Sequence, residues 1–493
     1  VSPARVVIVG GGTAGWMAAC LMAKAWPASE ITLIESPDIG IIGVGEGSTP
    51  QLRHLFRTLG IAEADWMPRA DATYKTGIAF DGWSDRPGYT RYFHPFASDI
   101  DVHTQGAFHF TNLARRRGDD LPAQPDRFFL NAALAERRLA PLPADNFPFD
   151  ATYGYHFDAT LVGIVLRDHA VAAGVRHVAG RVMDAAVAET GDIAGLLLEG
   201  GRMVTADLFV DASGFRGLLI QEALGTPFRS FADNLFNDRA IAIPMPLAED
   251  EDIPCHTTAT ALSAGWAWHI PLTSRSGNGY VYSSRHIDQD AAEVEFRTLL
   301  GPASDRALSR HLTMKVGRVE RNWVGNCVAI GLSQGFIEPL EATALHLVQA
   351  SVEGLIRAWP TQDRDGYNAA IARRIEGIRD YIVCHYRVNQ RTDSAYWREA
   401  AALDTLSDSL RRIVHAWFSG GDVVAEIERQ DIADIYAPMS WECLLAGYGT
   451  FPPDDRLRPA EDRVGLARID DLIARSCLNF PSHRAALAAL AEG

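Results

Sequence analysis

Arg5-Val6-Val7-Ile8-Val9-Gly10-Gly11-Gly12-Thr13-Ala14-Gly15-Trp16 is the stretch that decides the fold of this 493-residue chain. The β-branched run 5–9 predicts a buried strand and the glycines a tight turn. Trp16–Trp26 predicts a helix, and Ile31-Thr32-Leu33-Ile34 a second strand that ends at Glu35. Gly10, Gly12 and Gly15 fit G-x-G-x-x-G in the strand–turn–helix setting that gives this motif meaning. Gly10 permits the tight turn, Gly12 lets a pyrophosphate approach the backbone, and Gly15 lets the helix lie close to the strand. Thr13 and Ala14 complete a helix N-terminus that faces phosphate charge. Glu35, twenty residues past Gly15, stands where a carboxylate accepts bonds from ribose hydroxyls. The bland alternative is a tight turn with no ligand, and the full context favours a dinucleotide.

The rest of the composition narrows the class. Hydrophobic residues make up 47% and charged residues 22%, the balance of a globular protein with a large core. A net charge of −16 without a basic stripe argues against nucleic acid. The apolar runs are too short and too often interrupted for a membrane span, and a chain that opens directly on a strand is expected to carry no leader. Six scattered cysteines (20, 255, 327, 384, 443 and 477), with no C-x-x-C, read as reduced thiols of a cytoplasmic protein without a metal site.

Along the chain, residues 51–150 are rich in aromatics and prolines and read as an irregular insertion that carries ligand contacts. A helix is expected from about Asp158 to Ala173, short strands over 175–211, and alternating strands over 240–330. From about 343 onward the pattern is helical. The fold class is α/β, with 1–350 as the dinucleotide-binding domain and 351–493 as a mainly helical substrate-binding module.

One compositional bias points to chemistry. Of 46 lysines and arginines, three are lysines: Lys24, Lys75 and Lys315. An amine can be deprotonated and act as a nucleophile, whereas a guanidinium stays charged. Lys24 falls on the first helix and Lys315 in a polar stretch, both with ordinary surface explanations. Lys75 sits among aromatics and glycines in Tyr74-Lys75-Thr76-Gly77-Ile78-Ala79-Phe80.

Two later segments, Asp207–Gly217 with Asp211 at its centre and Val328–Gly335 with Gly331, resemble the flavin-contacting segments of two-lobe flavoproteins. They favour FAD over NAD, and no second G-x-G-x-x-G offers an NAD(P)H site. Seven segments in order then resemble the flavin-dependent halogenases of the tryptophan-halogenase family. They are the glycine turn with its trailing Trp16; Gly43-Val44-Gly45-Glu46 of a flavin-covering strap; Tyr74-Lys75-Thr76-Gly77-Ile78; His94-Pro95-Phe96; Trp266-x-Trp268-x-Ile270-Pro271; Phe336-Ile337-Glu338-Pro339-Leu340-Glu341-Ala342-Thr343; and Asp393-Ser394-Ala395-Tyr396-Trp397. Alone, the two tryptophans would read as an alternating core strand.

The resemblance implies an FAD-binding Rossmann-type two-lobe flavoprotein in which FADH2, O2 and a halide (bromide or chloride) yield a hypohalous acid. Lys75 would then present the halogen to an electron-rich arene. Glu341 matches the family's essential carboxylate, which would orient the oxidant and take the proton released by the ring. Glu338 is its nearest confounder. Thr343 and Ala344 open a helix suited to the halide, His94, Phe96 and Trp397 (with Tyr396) would hold the arene, and Trp266 and Trp268 would wall the flavin side. A separate NADH-dependent flavin reductase is implied as partner, and a homodimer stays open.

The departures are specific. Where relatives that take free tryptophan carry a glutamate, this chain has Thr392, and the tyrosine pair reads His385-Tyr386. Indole or a larger indole-bearing compound therefore fits better than the free amino acid. Ala342 and Ala344 stand where relatives carry Ser and Gly. The competing readings are an FAD-dependent aromatic hydroxylase and a non-catalytic flavin-binding protein.

Overall fold

A computed structural model describes residues 2–37, 45–247 and 252–492. The backbone sorts into two compact units, each drawn from three stretches. Val1–Asp71, Phe157–Ala232 and Met314–Glu376 form the first; Ala72–His156, Asp233–Thr313 and Gly377–Gly493 form the second. This is a grouping by packing.

The first unit is built on a six-stranded sheet in the order Trp323–Val324, Cys327–Ala329, Leu208–Asp211, Arg5–Val9, Glu30–Glu35 and Arg176–Ala179. All neighbours are parallel except the first pair. Val6, Val7, Ile8 and Val9 are all buried, as a strand covered on both faces requires. Val9 pairs with Ile34 on one side and Asp211 on the other. This register brings Gly10, Glu35 and Asp211 to one carboxyl edge of the sheet, where ligands of open α/β sheets bind.

The glycine-turn helix runs Thr13–Ala25, starting three residues before Trp16 because Gly12 is already its N-cap. It is apolar nearly all round and packs against the helices Ala159–Ala172 and Ala344–Ala358. Asp211 fixes the turn beyond the third strand. One carboxylate oxygen accepts from Ser213 N and Oγ at 3.0 and 2.6 Å, and the other from Leu219 N and Ile220 N, both at 2.8 Å. Burial pushes its pKa up and these bonds pull it down.

The second unit holds a seven-stranded sheet in the order Arg310–Thr313, Arg239–Pro246, Arg275–Tyr282, Gly265–Pro271, Thr257–Leu262, Gly77–Asp81 and Arg91–Pro95. Trp266 and Trp268 lie two apart on Gly265–Pro271 and so share a face, both buried, with ring centroids 6.3 Å apart. Trp268 is opposite Gly279, and a Cβ at Gly279 would lie 2.0 Å from the indole. That glycine exists to admit the tryptophan.

Residues 51–150 are more regular than their composition suggests. They contain the helices Gln51–Leu59, Gln105–Arg116 and Leu130–Arg137, and two strands of the seven-stranded sheet. The strand Gly77–Asp81 pairs in parallel with Thr257–Leu262, far along the chain, so no local pattern could reveal it. From Ala344 onward helices dominate. Among the described residues no helix is long and apolar enough to cross a membrane, no metal-binding cluster forms, and all six cysteines are free and buried.

Candidate functional site

The first unit gathers the dinucleotide residues, and the glycines separate those needed by the protein from one needed by a ligand. A Cβ at Gly10 would lie 2.2 Å from the Ala212 carbonyl oxygen, and one at Gly15 would lie 2.0 Å from that of Gly10. A Cβ at Gly12 would meet nothing within 4 Å. The protein itself leaves that space open, beside a helix start with no side-chain cap and no acidic residue in its first turn. This is a cradle for pyrophosphate charge. Thr13 Oγ1 donates to the Ala159 carbonyl at 3.0 Å, and a Cβ at Gly331 would lie 2.9 Å from Ala14 Cβ. Both residues shape the walls of the cradle.

Glu35 sits at the end of its strand, half-buried, with its Oε1 2.7 Å from His177 Nε2. The His177 ring stands edge-on to Trp16 at 5.1 Å. Trp16 therefore steadies the histidine that holds Glu35, a link invisible from the sequence because His177 lies on a distant strand. Gly45 and Glu46 lie in the short strand Gly45–Gly47, whereas Gly43 and Val44 fall outside the described residues. Burial, and next the Asp158 carboxylate, push the Glu46 pKa up to about 7.

The candidate halide residues also lie in this unit. Glu338 and Glu341 flank a single turn, Pro339–Glu341, and both are buried, so burial does not distinguish them. Ala342 then takes a left-handed conformation (φ 54°, ψ 36°) before Thr343 (φ −88°, ψ −5°) caps the helix Ala344–Ala358. A left-handed residue next to a right-handed one points successive N–H groups into one concavity, and the helix dipole adds to its positive field.

Lys75 belongs to the second unit. It ends the strand Thr73–Lys75 and its side chain is 0% exposed. Lys24 and Lys315, by contrast, are exposed. Lys75 pairs with Gly154, which places no side chain opposite it. Its Nζ lies 5.4 Å from the ring centroid of half-buried Phe96, and Phe96 N donates to the Thr76 carbonyl at 2.9 Å. His94 is buried on the same strand as Pro95, beside Tyr92 and Tyr381. A Cβ at Gly77 would lie 2.2 Å from the His94 carbonyl oxygen, so the glycine after Thr76 lets these two strands meet.

Trp397 is fully buried, with Nε1 donating to the Leu262 carbonyl at 2.6 Å and Trp83 and Tyr396 both at 5.0 Å. It is connected to His94 through Trp83, His385 and Tyr381. Tyr396 donates to Asn237 Oδ1, whose Nδ2 donates to Tyr386. Thr392 is exposed, and Arg391, 5.3 Å from the Trp397 ring, is held by both oxygens of Asp393. The structure thus brings Phe96, just past the strand that carries His94, beside Lys75, and joins His94 to Trp397 and Tyr396 through a chain of aromatic contacts. Neither His156 nor His483, both fully buried, is marked by any motif in the sequence.

Two predictions follow from the first unit. Gly12→Ala is expected to leave apo stability within about 1 kcal/mol and to weaken FAD binding by about tenfold or more. Gly15→Ala should lose about 2 kcal/mol or more by overpacking. Thermal unfolding and flavin fluorescence titration check both, and an unchanged FAD affinity in Gly12→Ala refutes the cradle. Glu46 generates the second. Its raised pKa stabilises the fold below the ordinary carboxylate value of 4.5, and this is lost as pH rises through about 7. Glu46→Gln should therefore raise Tm relative to the parent at pH 8 and show little difference at pH 5. An equal difference at both pH values contradicts the assignment.

Comparison with known proteins gives the family. The tryptophan halogenase family model matches residues 5–462. The tryptophan 6-halogenase SttH of Streptomyces toxytricini is 37% identical over 487 residues, covering 91% of this chain and 90% of that protein. The tryptophan 7-halogenase RebH of Lentzea aerocolonigenes is 34% identical over 491 residues, covering 92% and 91%. Among solved structures, SttH superposes with a TM-score of 0.86 at 34% identity over 99% of this chain and 100% of that one. BrvH, a flavin-dependent halogenase from Brevundimonas sp. BAL3, gives 0.84 at 34% identity over 99% of both. The chain is an enzyme with an α/β FAD-binding fold of the Rossmann type, and it belongs to the tryptophan-halogenase family of flavin-dependent halogenases.

Proposed function

We propose that this enzyme halogenates indole or an indole-bearing compound rather than free tryptophan, with bromide preferred to chloride. The observation that carries the reading is a fully buried lysine amine beside Phe96 in a chain that has almost replaced lysine by arginine. In this reading residues 1–350 bind flavin, with 51–150 adding substrate contacts, and 351–493 form the substrate-binding module. The reduced flavin, delivered by a separate NADH-dependent reductase, supplies with O2 the two-electron oxidation of halide to hypohalous acid.

Thr343 and Ala344 hold the halide on backbone N–H groups. Glu341 orients the oxidant and serves as the proton acceptor. The Lys75 nitrogen takes the halogen: its lone pair forms the N–X bond as the O–X bond breaks, and its proton leaves with hydroxide as water. The arene π electrons then take the halogen, the ring loses its proton, and the amine is regenerated. Arg could donate hydrogen bonds at this position but could not become a neutral haloamine. His94, Phe96, Tyr396 and Trp397 supply flat walls for the ring. The enzyme works in the cytoplasm in this reading, as monomer or homodimer.

The substrate choice rests on charge. Thr392 offers no carboxylate to an ammonium, and Asp393 is occupied by Arg391. An amino-acid head group placed in a dry pocket without partners would lose roughly a few kcal/mol. Indole escapes that cost, and without a head-group anchor it reacts at C3, its most electron-rich carbon. The bromide preference rests on the easier oxidation of bromide and on Ala342 and Ala344 at the halide turn.

With an added flavin reductase, NADH and bromide, product mass spectra distinguish halogenation from hydroxylation and from no reaction. NADH oxidation by the pure protein alone contradicts the two-component reading. Lys75→Ala and Lys75→Arg should abolish halogenation while FAD still binds, and Glu341→Gln should lose about 10²-fold, more than Glu338→Gln. Near-normal turnover in Lys75→Arg refutes the amine-specific role. In competition, kcat/KM should favour indole over L-tryptophan, and equal bromide and chloride should give mainly 3-bromoindole by NMR. A preference for tryptophan, substitution on the benzo ring, or mostly chlorinated product each refutes the corresponding choice.

A further inference from the structure

The strand that carries Lys75 is held by two histidines outside the roles assigned so far. His156 lies on the strand Gly154–Asp158, directly opposite Thr73. It is one diagonal step from Lys75 on the same face, roughly 7 Å away. The ring is fully buried, and both nitrogens are engaged: Nδ1 with Thr73 Oγ1 and Nε2 with Thr257 Oγ1, each at 3.0 Å.

The direction of these bonds can be worked out. Thr73 has one hydroxyl hydrogen and gives it to the Pro271 carbonyl at 2.7 Å. Its oxygen is therefore the acceptor for Nδ1–H. Burial first, then Lys75, then His483, His256 and His269 hold the His156 pKa well below its ordinary value, so the ring is neutral. A neutral imidazole with its hydrogen on Nδ1 keeps a lone pair on Nε2, and the Thr257 hydroxyl fills it.

His483 acts on the backbone of the same strand. Its Nδ1–H donates to the Ile253 carbonyl at 2.8 Å, so Nε2 accepts from Tyr74 N–H at 3.3 Å. Burial lowers its pKa to about 4. Two neutral rings thus grip Thr73 and Tyr74, the two residues before Lys75.

We propose that His156 is a positioning residue for Lys75, an inference that rests on reading Lys75 as the halogen carrier. The ring walls the lysine's face of the strand pair, and its basic nitrogen is already occupied by Thr257. It therefore neither accepts a hydrogen bond from the amine nor takes its proton. Thr257 is what makes His156 inert.

Thr257→Val keeps the branched shape but removes the hydroxyl, leaving Nε2 of His156 without its threonine partner. In the reductase-coupled reaction this variant should lose about tenfold in kcat, with arene KM and FAD affinity unchanged. Thr257→Ser should restore the rate. In the flavin-free protein, acetylation of Lys75 by acetic anhydride, followed by peptide mass spectrometry, should shift to higher pH in Thr257→Val and return in Thr257→Ser. An unchanged kcat and labelling profile in Thr257→Val overturns the proposal, as does a loss in Thr257→Ser equal to that in Thr257→Val. Full halogenation by Lys75→Ala would instead remove the carrier reading, and the labelling shift reports the His156–Lys75 coupling independently of it.

Discussion

Burying an amine is the constraint around which the second unit is organised. Taking an ammonium out of water costs several kcal/mol even after relaxation, so a lysine with no solvent exposure is tolerated only where its surroundings are built for it. Here they are. Gly154 places no side chain across the strand pair, Phe96 offers a ring face, and His156, one diagonal step away, has both nitrogens committed to threonines. The nearby glycine, Gly77, is required because the strand bearing Phe93 and His94 comes too close for any side chain. Each of these residues looks incidental alone and makes sense as part of a wall around one nitrogen.

The first unit solves a different problem with backbone. Its central strand aligns three chain segments so that a glycine turn, a carboxylate and an aspartate-tied loop end at one sheet edge. Gly10 and Gly15 serve the fold, because neighbouring carbonyls leave no room for a Cβ, whereas Gly12 borders space that the protein does not fill. Asp211 is spent wholly on backbone and hydroxyl donors of its own turn. Its part in a cofactor site is the shape of that turn. Trp16, the residue that follows the glycine motif, is tied to the Glu35 carboxylate through His177.

The turn at Ala342 takes a left-handed conformation without a glycine. A left-handed alanine costs about 1–2 kcal/mol, and its N–H makes the ordinary turn bond to Pro339. Its product is a concavity of N–H groups at a helix start, directly after two buried glutamates. A small anion is the ligand that such a geometry suits, and a methyl in place of a hydroxyl at Ala342 removes one hydrogen-bonding group from its rim.

The sequence by itself determined what depends on local pattern. A β-branched run followed by G-x-G-x-x-G specifies strand, turn and helix. Glu35 could be placed because it lies twenty residues past Gly15, at the end of the second strand. The rarity of lysine singled out Lys75 because the chemical difference between amine and guanidinium needs no structure to state. Tertiary structure alone decided the contacts that join distant segments. The strands within 51–150 were hidden because their partners lie far along the chain, and Gly279 meant nothing until Trp268 lay across from it. His177, His156 and His483 carried no readable signal, because a histidine's role is set by what faces its two nitrogens. Those partners are Glu35, two threonines, a carbonyl and a backbone N–H, brought there only by strand register and by a helix from the far end of the chain.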